Sequence, residues 1–178
     1  MRKFLVVVDM QKDFVDGALG TAEAASIVPA AVKKIENFVG DIFVTYDTHF
    51  DDYLETAEGR KLPVPHCMID TDGWQLNEQI ADALTGRVFV PVHKPTFGSI
   101  QLAIDIAEAA QGEEFSVELI GLCTDICVVS NALLLKAFFP EAEISVDAAC
   151  CAGVTPESHE AALKTLSSCQ INVLLKFS

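Results

Sequence analysis

Residues 117–130 read V-E-L-I-G-L-C-T-D-I-C-V-V-S. The run opens apolar and β-branched, passes Gly121, and reaches two cysteines around the polar pair Thr124-Asp125. Helix-forming composition then continues to Lys136. This pattern predicts a buried strand that delivers Cys127 to the first turn of a helix. The first N–H groups of a helix lack intrahelical partners, and the helix dipole favours an anion. Both effects lower a thiol's pKa, so Cys127 is a candidate nucleophile. The plainer alternative is that Cys123 and Cys127 are small buried hydrophobes, as most free cysteines are.

Outward from this stretch the same strand-then-helix alternation recurs. Lys3–Asp9 is a continuous apolar run closed by a carboxylate, which suits a strand covered on both faces in a parallel sheet. A loop follows over Gln11–Gly20, and Val28, Val32, Ile35 and Val39 at helical spacing predict a helix over Ile27–Val39, stopped by Gly40. Ile42–Tyr46 is the second expected strand and hands over to Asp47-Thr-His49. Residues 50–73 are long, polar and proline-bearing; such loops in compact domains are usually functional. Beyond them the pattern predicts a helix over 76–84, a strand over 87–93, a helix over 100–110 capped by Ser99, and the strand 115–122. A helix over 125–138, a strand over 143–146, a helix over 157–168 behind Thr155-Pro156, and a last strand over 171–175 complete the series. Six strands alternating with helices predict a three-layer, doubly wound α/β domain with a six-stranded, mostly parallel sheet, one domain over residues 1–178.

The 178-residue chain is 51% hydrophobic, enough to bury a sizeable core. Its net charge of −14 argues against nucleic acid or an anionic membrane surface as a partner. The apolar run Phe4–Val8 is too short for a secretion signal, and no run reaches the length of a membrane span. With six cysteines scattered in apolar segments, the expectation is a reducing, cytoplasmic compartment and free thiols.

In doubly wound sheets the ligand crevice lies beyond the carboxyl ends of the strands. Asp9 ends the first strand, Asp47 and His49 follow the second, Lys94 the third, and Cys127 the fourth. If the strand order is 3-2-1-4-5-6, Asp9 and Cys127 face each other across the switch point. Taken singly, Asp9 could cap a turn, Lys94 could be a solvated lysine and His93 a packed or surface histidine, while His159, in a helix beside Glu157 and Glu160, is expected to be exposed. Together an acid, an amine and a thiol suit acyl transfer through a thioester, with backbone N–H groups over Cys123–Cys127 as an oxyanion hole. A second constellation, Asp47-x-His49 followed by Glu55 and His66, suits Zn²⁺, with Mn²⁺ or Fe²⁺ as alternatives. Asp51 and Asp52 compete with Glu55 for the carboxylate role, and Cys67 beside His66 is a lesser candidate.

The motifs Val8-Asp9-Met-Gln11-Lys-Asp13-Phe14, Asp47-Thr-His49, Pro65-His66-Cys67, Lys94-Pro-Thr-Phe-Gly98 and Gly121-Leu-Cys-Thr-Asp125-Ile-Cys127 occur in this order. With them the chain resembles the isochorismatase-like cysteine hydrolases, and within these the nicotinamidase (pyrazinamidase) branch, over essentially its whole length. The resemblance implies a catalytic triad of Asp9, Lys94 and Cys127. It implies a cis peptide at Leu122–Cys123, with the N–H groups of Cys123 and Cys127 as oxyanion donors. It implies a divalent metal, zinc first, on Asp47, His49, His66 and Glu55. It further implies nicotinamide as the small-molecule substrate, in NAD salvage, with Phe14 as a wall of the ring pocket and a possible homo-oligomer. Many nicotinamidases carry an aromatic residue shortly before the metal histidine; here that segment is Leu62-Pro-Val-Pro65, and Phe97 is expected to supply the missing surface. The rival expectations are an amidase for a carbamoyl or ureido compound, a catalytically silent binding protein, and a redox-sensing thiol protein.

Overall fold

The computed structural model describes residues 1–175; residues 176–178 of the expected domain lie outside the described residues. The six strands are β1 (Arg2–Val8), β2 (Asp41–Asp47), β3 (Phe89–Lys94), β4 (Phe115–Leu122), β5 (Glu143–Ala152) and β6 (Asn172–Leu174). They form one sheet in the order β3-β2-β1-β4-β5-β6, with every neighbouring pair parallel. The helices are α1 (Lys12–Val15), α2 (Ala22–Asn37), α3 (Glu78–Leu84), α4 (Ile100–Ala110), α5 (Val129–Phe138) and α6 (Pro156–Ser168). This is the three-layer α/β architecture expected from the sequence.

Both faces of the sheet are covered, which is why β1 reads as an unbroken apolar run. Phe4, Val6 and Val8 pack with α4, α5 and α6 on one side, while Leu5 and Val7 pack with α2 and α3 on the other. At the register pair Val8 and Gly121, a Cβ on residue 121 would meet the Val8 carbonyl oxygen at 2.1 Å, and Gly121 has φ +115°. Only glycine lets the two central strands meet there. The order in which strands are added reverses between β1 and β4, so the switch point opens between Asp9 and the end of β4.

Three elements depart most from expectation. Helix α2 starts at Ala22, not Ile27, because the Thr21 hydroxyl caps it by accepting from the Ala24 N–H at 3.0 Å. It ends before Val39, which is 84% exposed. Strand β5 runs to Ala152, well beyond Val146, and carries the buried, free thiols of Cys150 and Cys151. The expected helix over 125–138 begins as a π-helical turn, Thr124–Val128, before α5 proper. All six cysteines are free thiols. Among the described residues, no helix is long and apolar enough to cross a membrane.

One buried ion cluster ties a helix to the sheet away from the crevice. Lys34 Nζ lies 2.6 Å from Glu118 Oε1 and 2.8 Å from Asp147 Oδ2, and Asp147 is fully buried. Removing the cation leaves two adjacent, desolvated carboxylates, a change that costs about 3 kcal/mol or more. Lys34→Ala is therefore expected to lower Tm by about 10 °C in a thermal scan; an unchanged Tm would show that the cluster contributes nothing.

Candidate active site

The strand ends place three groups of opposite character in contact. Lys94, the last residue of β3, is 1% exposed, and its Nζ is 2.6 Å from Asp9 Oδ2 and 3.5 Å from Cys127 Sγ. Asp9 follows β1 with φ 48°, a conformation that non-glycine residues seldom adopt and that clusters at functional sites. Its other carboxylate oxygen accepts from the Thr45 hydroxyl at 2.6 Å. The peptide bond Leu122–Cys123 is cis. The π turn closes with the N–H groups of Ile126 and Val128 both donating to the Cys123 carbonyl at 3.0 Å, which holds Cys127 on the wall of the crevice.

Charge states follow from burial. Desolvation raises the Asp9 carboxyl above its ordinary value, against the opposing pull of Lys94. Burial pushes the Cys127 thiol well up, with Asp9 adding to the shift and Lys94 opposing it. The sequence-based expectation of a lowered thiol pKa is corrected here, because desolvation outweighs the helix terminus. Burial also works against a charged Lys94, but Asp9, Cys127 and Asp47 together raise its pKa and keep it an ammonium. The buried arrangement thus sets the Cys127 thiol beside the Asp9–Lys94 pair. Burial likewise pushes the neighbouring Cys123 thiol up to about 12.

Lys94 Nζ also lies 3.5 Å from Asp47 Oδ1, and this contact joins the triad to a second cluster. Asp47 Oδ2 is 3.0 Å from His49 Nε2 and 3.5 Å from His66 Nε2, and Glu58 Oε1 is 3.7 Å from both imidazole nitrogens. His66 Nδ1 donates to the Val64 carbonyl at 2.8 Å; a carbonyl can only accept, so this fixes the tautomer and leaves Nε2 free to ligate. Although burial raises the Asp47 carboxyl, the neighbouring imidazoles of His49 and His66 and the charge of Lys94 outweigh it and hold the carboxyl well below the usual carboxylate range. One ligand atom from each of Asp47, His49, Glu58 and His66 lies within 4.8 Å of the others, and two nitrogens with two oxygens suit a divalent transition metal.

Glu55 is not brought to this cluster. It ends the short 3₁₀ turn Tyr53–Glu55, in which residues three apart share a face. Tyr53 takes the inner face, is fully buried, and donates its hydroxyl to the Leu62 carbonyl at 2.8 Å, so Glu55 turns to solvent. The chain returns at Glu58, which supplies the carboxylate in its place. Asp51 and Asp52 are exposed. Cys67 is buried, lies outside the ligand group, and donates its N–H to Asp13 Oδ2 at 2.8 Å.

A cavity of about 860 Å³ lies over both clusters, with Cys127 on one side and His49 and His66 on the other. Phe14, Leu62, Phe97 and Ile126 supply apolar wall between them. The ring of Phe14 stands edge-on to His66 at 5.4 Å, and Phe97 sits at the mouth, 46% exposed. Trp74 lies apart from this wall and donates its Nε1–H to the Thr48 hydroxyl at 3.0 Å. His93 is exposed against Tyr46 and Trp74, whereas His159, expected to be exposed, is half-buried and hydrogen-bonded to Thr124 Oγ1 at 2.8 Å.

The model of the isochorismatase domain matches residues 3–175. The chain belongs to the isochorismatase family. Nicotinamidase PncA from Bacillus subtilis has a similar crystal structure, with a TM-score of 0.83 and 24% identity over 98% of this chain and all of that one; at that identity the likeness speaks for the fold. Pyrazinamidase of Pyrococcus horikoshii, solved in complex with zinc, is 26% identical over 99% of this chain and all of its own, with a TM-score of 0.77. N-carbamoylsarcosine amidase from Thermoplasma acidophilum is 27% identical over 98% of this chain and 96% of its own, also with a TM-score of 0.77.

In this isochorismatase-family chain, two polar residues of the site gave no readable role in the sequence. Glu58 sits in a loop without periodicity. Gln11, fully buried, accepts the Asp47 N–H and donates to the carbonyls of Asp47 and Trp74, so it clamps Asp47 through main-chain atoms only.

Proposed function

We propose that the protein is a cysteine amidohydrolase that converts nicotinamide to nicotinate and ammonia. The observation that carries this reading is Lys94, buried between Asp9 and Cys127 and touching Asp47 of the four-residue cluster. In the proposed reaction Asp9 takes the Cys127 proton as the sulfur attacks the carboxamide carbon. Lys94 stays charged and balances the negative charge that passes between carboxylate, thiolate and oxyanion. The N–H groups of Cys123 and Cys127 are the proposed donors to the oxyanion, each worth about 3–4 kcal/mol where such donors have been removed from other enzymes. Asp9 returns the proton to the departing nitrogen, which leaves as ammonia and yields a Cys127 thioester. Asp9 then accepts a proton from water as the water attacks the thioester carbonyl. Collapse of the adduct expels the Cys127 sulfur, which takes that proton back from Asp9, and nicotinic acid departs and ionises to nicotinate in solution.

Asp47, His49, Glu58 and His66 are the residues that would hold a divalent ion, zinc first, and the ion would supply a coordination point for the ring nitrogen of a heteroaromatic amide. Phe14 and Phe97 are the proposed apolar surfaces for the ring. Similarity to N-carbamoylsarcosine amidase favours a second reading, a carbamoyl amidase. The imidazole-rich cluster weighs against it, because an acyclic carbamoyl group offers no ring nitrogen. The test is ammonia release by purified protein from nicotinamide, pyrazinamide and N-carbamoylsarcosine, each with and without chelator. Release from the two ring amides that chelator abolishes is expected; release from N-carbamoylsarcosine alone would replace this reading with the second.

A further inference from the structure

We infer that Asn131 is a positioning residue that fixes the nucleophile turn and the Phe97 wall relative to each other. Asn131 lies in the first turns of α5, is fully buried, and does not line the crevice. Its side-chain Nδ2 donates to the Cys127 carbonyl at 2.8 Å and to the Phe97 carbonyl at 3.1 Å. Its Oδ1 accepts from the Ser99 N–H at 2.9 Å. Both amide protons and the acceptor are thus engaged, and every partner is a main-chain atom.

The loop between Lys94 and Ser99 is consequently held at both ends. At one end Lys94 is buried among the triad, and at the other Ser99 caps α4 by accepting from the Leu102 N–H at 3.1 Å. Asn131 adds the cross-tie between that loop and the carbonyl of the nucleophile itself. A buried amide with all its partners satisfied defines one geometry, and losing it removes a side-chain partner from three main-chain groups. The two halves of the tie have separable consequences. The bond to Cys127 sets where the thiol stands relative to Lys94 Nζ, 3.5 Å away. The bonds to Phe97 and Ser99 set the wall against which a substrate packs.

The experiment compares the parent with Asn131→Ala and Asn131→Ser. Alkylation of Cys127 by iodoacetamide is followed by mass spectrometry, and the exposed Cys169 in the same protein serves as reference. This arm needs no substrate and stands whether or not nicotinamide is turned over; only the KM arm rests on the function proposed above. In Asn131→Ala, displacement of the thiol from Lys94 is expected to slow Cys127 alkylation at least about fivefold with Cys169 unchanged. A serine hydroxyl on a helix reaches the carbonyl four residues back. Asn131→Ser is therefore expected to keep Cys127 alkylation within about twofold of the parent while raising KM about tenfold at nearly constant kcat. Parent-like Cys127 alkylation in Asn131→Ala would overturn the inference. So would Asn131→Ser with alkylation slowed fivefold or with KM unmoved, and the serine variant decides the matter if the alanine variant does not fold.

Discussion

Cys127→Ala is expected to lower nicotinamide turnover by about 10⁴-fold or more while leaving the fold in place. In the proposed mechanism the sulfur carries the bond-making step, and removal of a nucleophile that acts as a unit with its base abolishes nearly all of the catalysis the unit provides. Cys127 is also the member of the triad that can be changed most cleanly. Truncating Asp9 would leave the ammonium of Lys94, 1% exposed, without its 2.6 Å partner, and truncating Lys94 would bury two carboxylates without a cation. Either change would confuse lost chemistry with lost stability. Alanine replaces the thiol by hydrogen, which removes one heavy atom and keeps the Asp9–Lys94 pair. Ammonia release and a thermal scan on the same preparation check the prediction: activity should vanish with Tm changed by only a few degrees. Retained turnover would end the thioester mechanism.

The second large effect is expected at the four-residue cluster. His66→Ala should bring the metal content of purified protein from near-stoichiometric to trace, measured by elemental analysis. Loss of an outer-shell partner of a metal ligand costs roughly 10–100-fold in affinity, and loss of a ligand should cost more. Glu58→Ala should also lower the content, whereas Glu55→Ala should leave it unchanged, since Glu55 is exposed and Glu58 Oε1 stands 3.7 Å from both imidazoles. Metal lost from Glu55→Ala and kept in Glu58→Ala would return the ligand role to Glu55. Unchanged metal in His66→Ala would dismiss the cluster as a metal site.

The parts of this molecule that were legible in the sequence are those whose physical cause is local. Strands covered on both faces leave uninterrupted apolar runs, so β1 and β4 could be placed, and the polar residues closing them, Asp9 and the Cys127 turn, stood out against that background. The strand order came from fold statistics, and the sheet has it. Glu58 was not legible, because the 50–73 loop has no periodicity and a single 3₁₀ turn decides which carboxylate faces inward. The π turn was not legible either: its composition is that of an ordinary helix start, and its shape depends on two N–H groups sharing the Cys123 carbonyl. Gln11 and Asn131 act on main-chain atoms distant in sequence, so no pairing of residue types betrays them. The raised Cys127 pKa needed the fold as well, since a helix terminus can be read from sequence but complete burial beside a carboxylate cannot.

The central claim is that amide hydrolysis passes through a covalent acyl group on Cys127, and the most direct measurement is partition of that intermediate by hydroxylamine. During nicotinamide turnover, hydroxylamine should divert product from nicotinate to the hydroxamate while ammonia is still released, and acid-quenched protein should carry the nicotinoyl mass on the Cys127 peptide. Nicotinate formed with no hydroxamate, and with Cys127 unmodified at every quench time, would contradict the account.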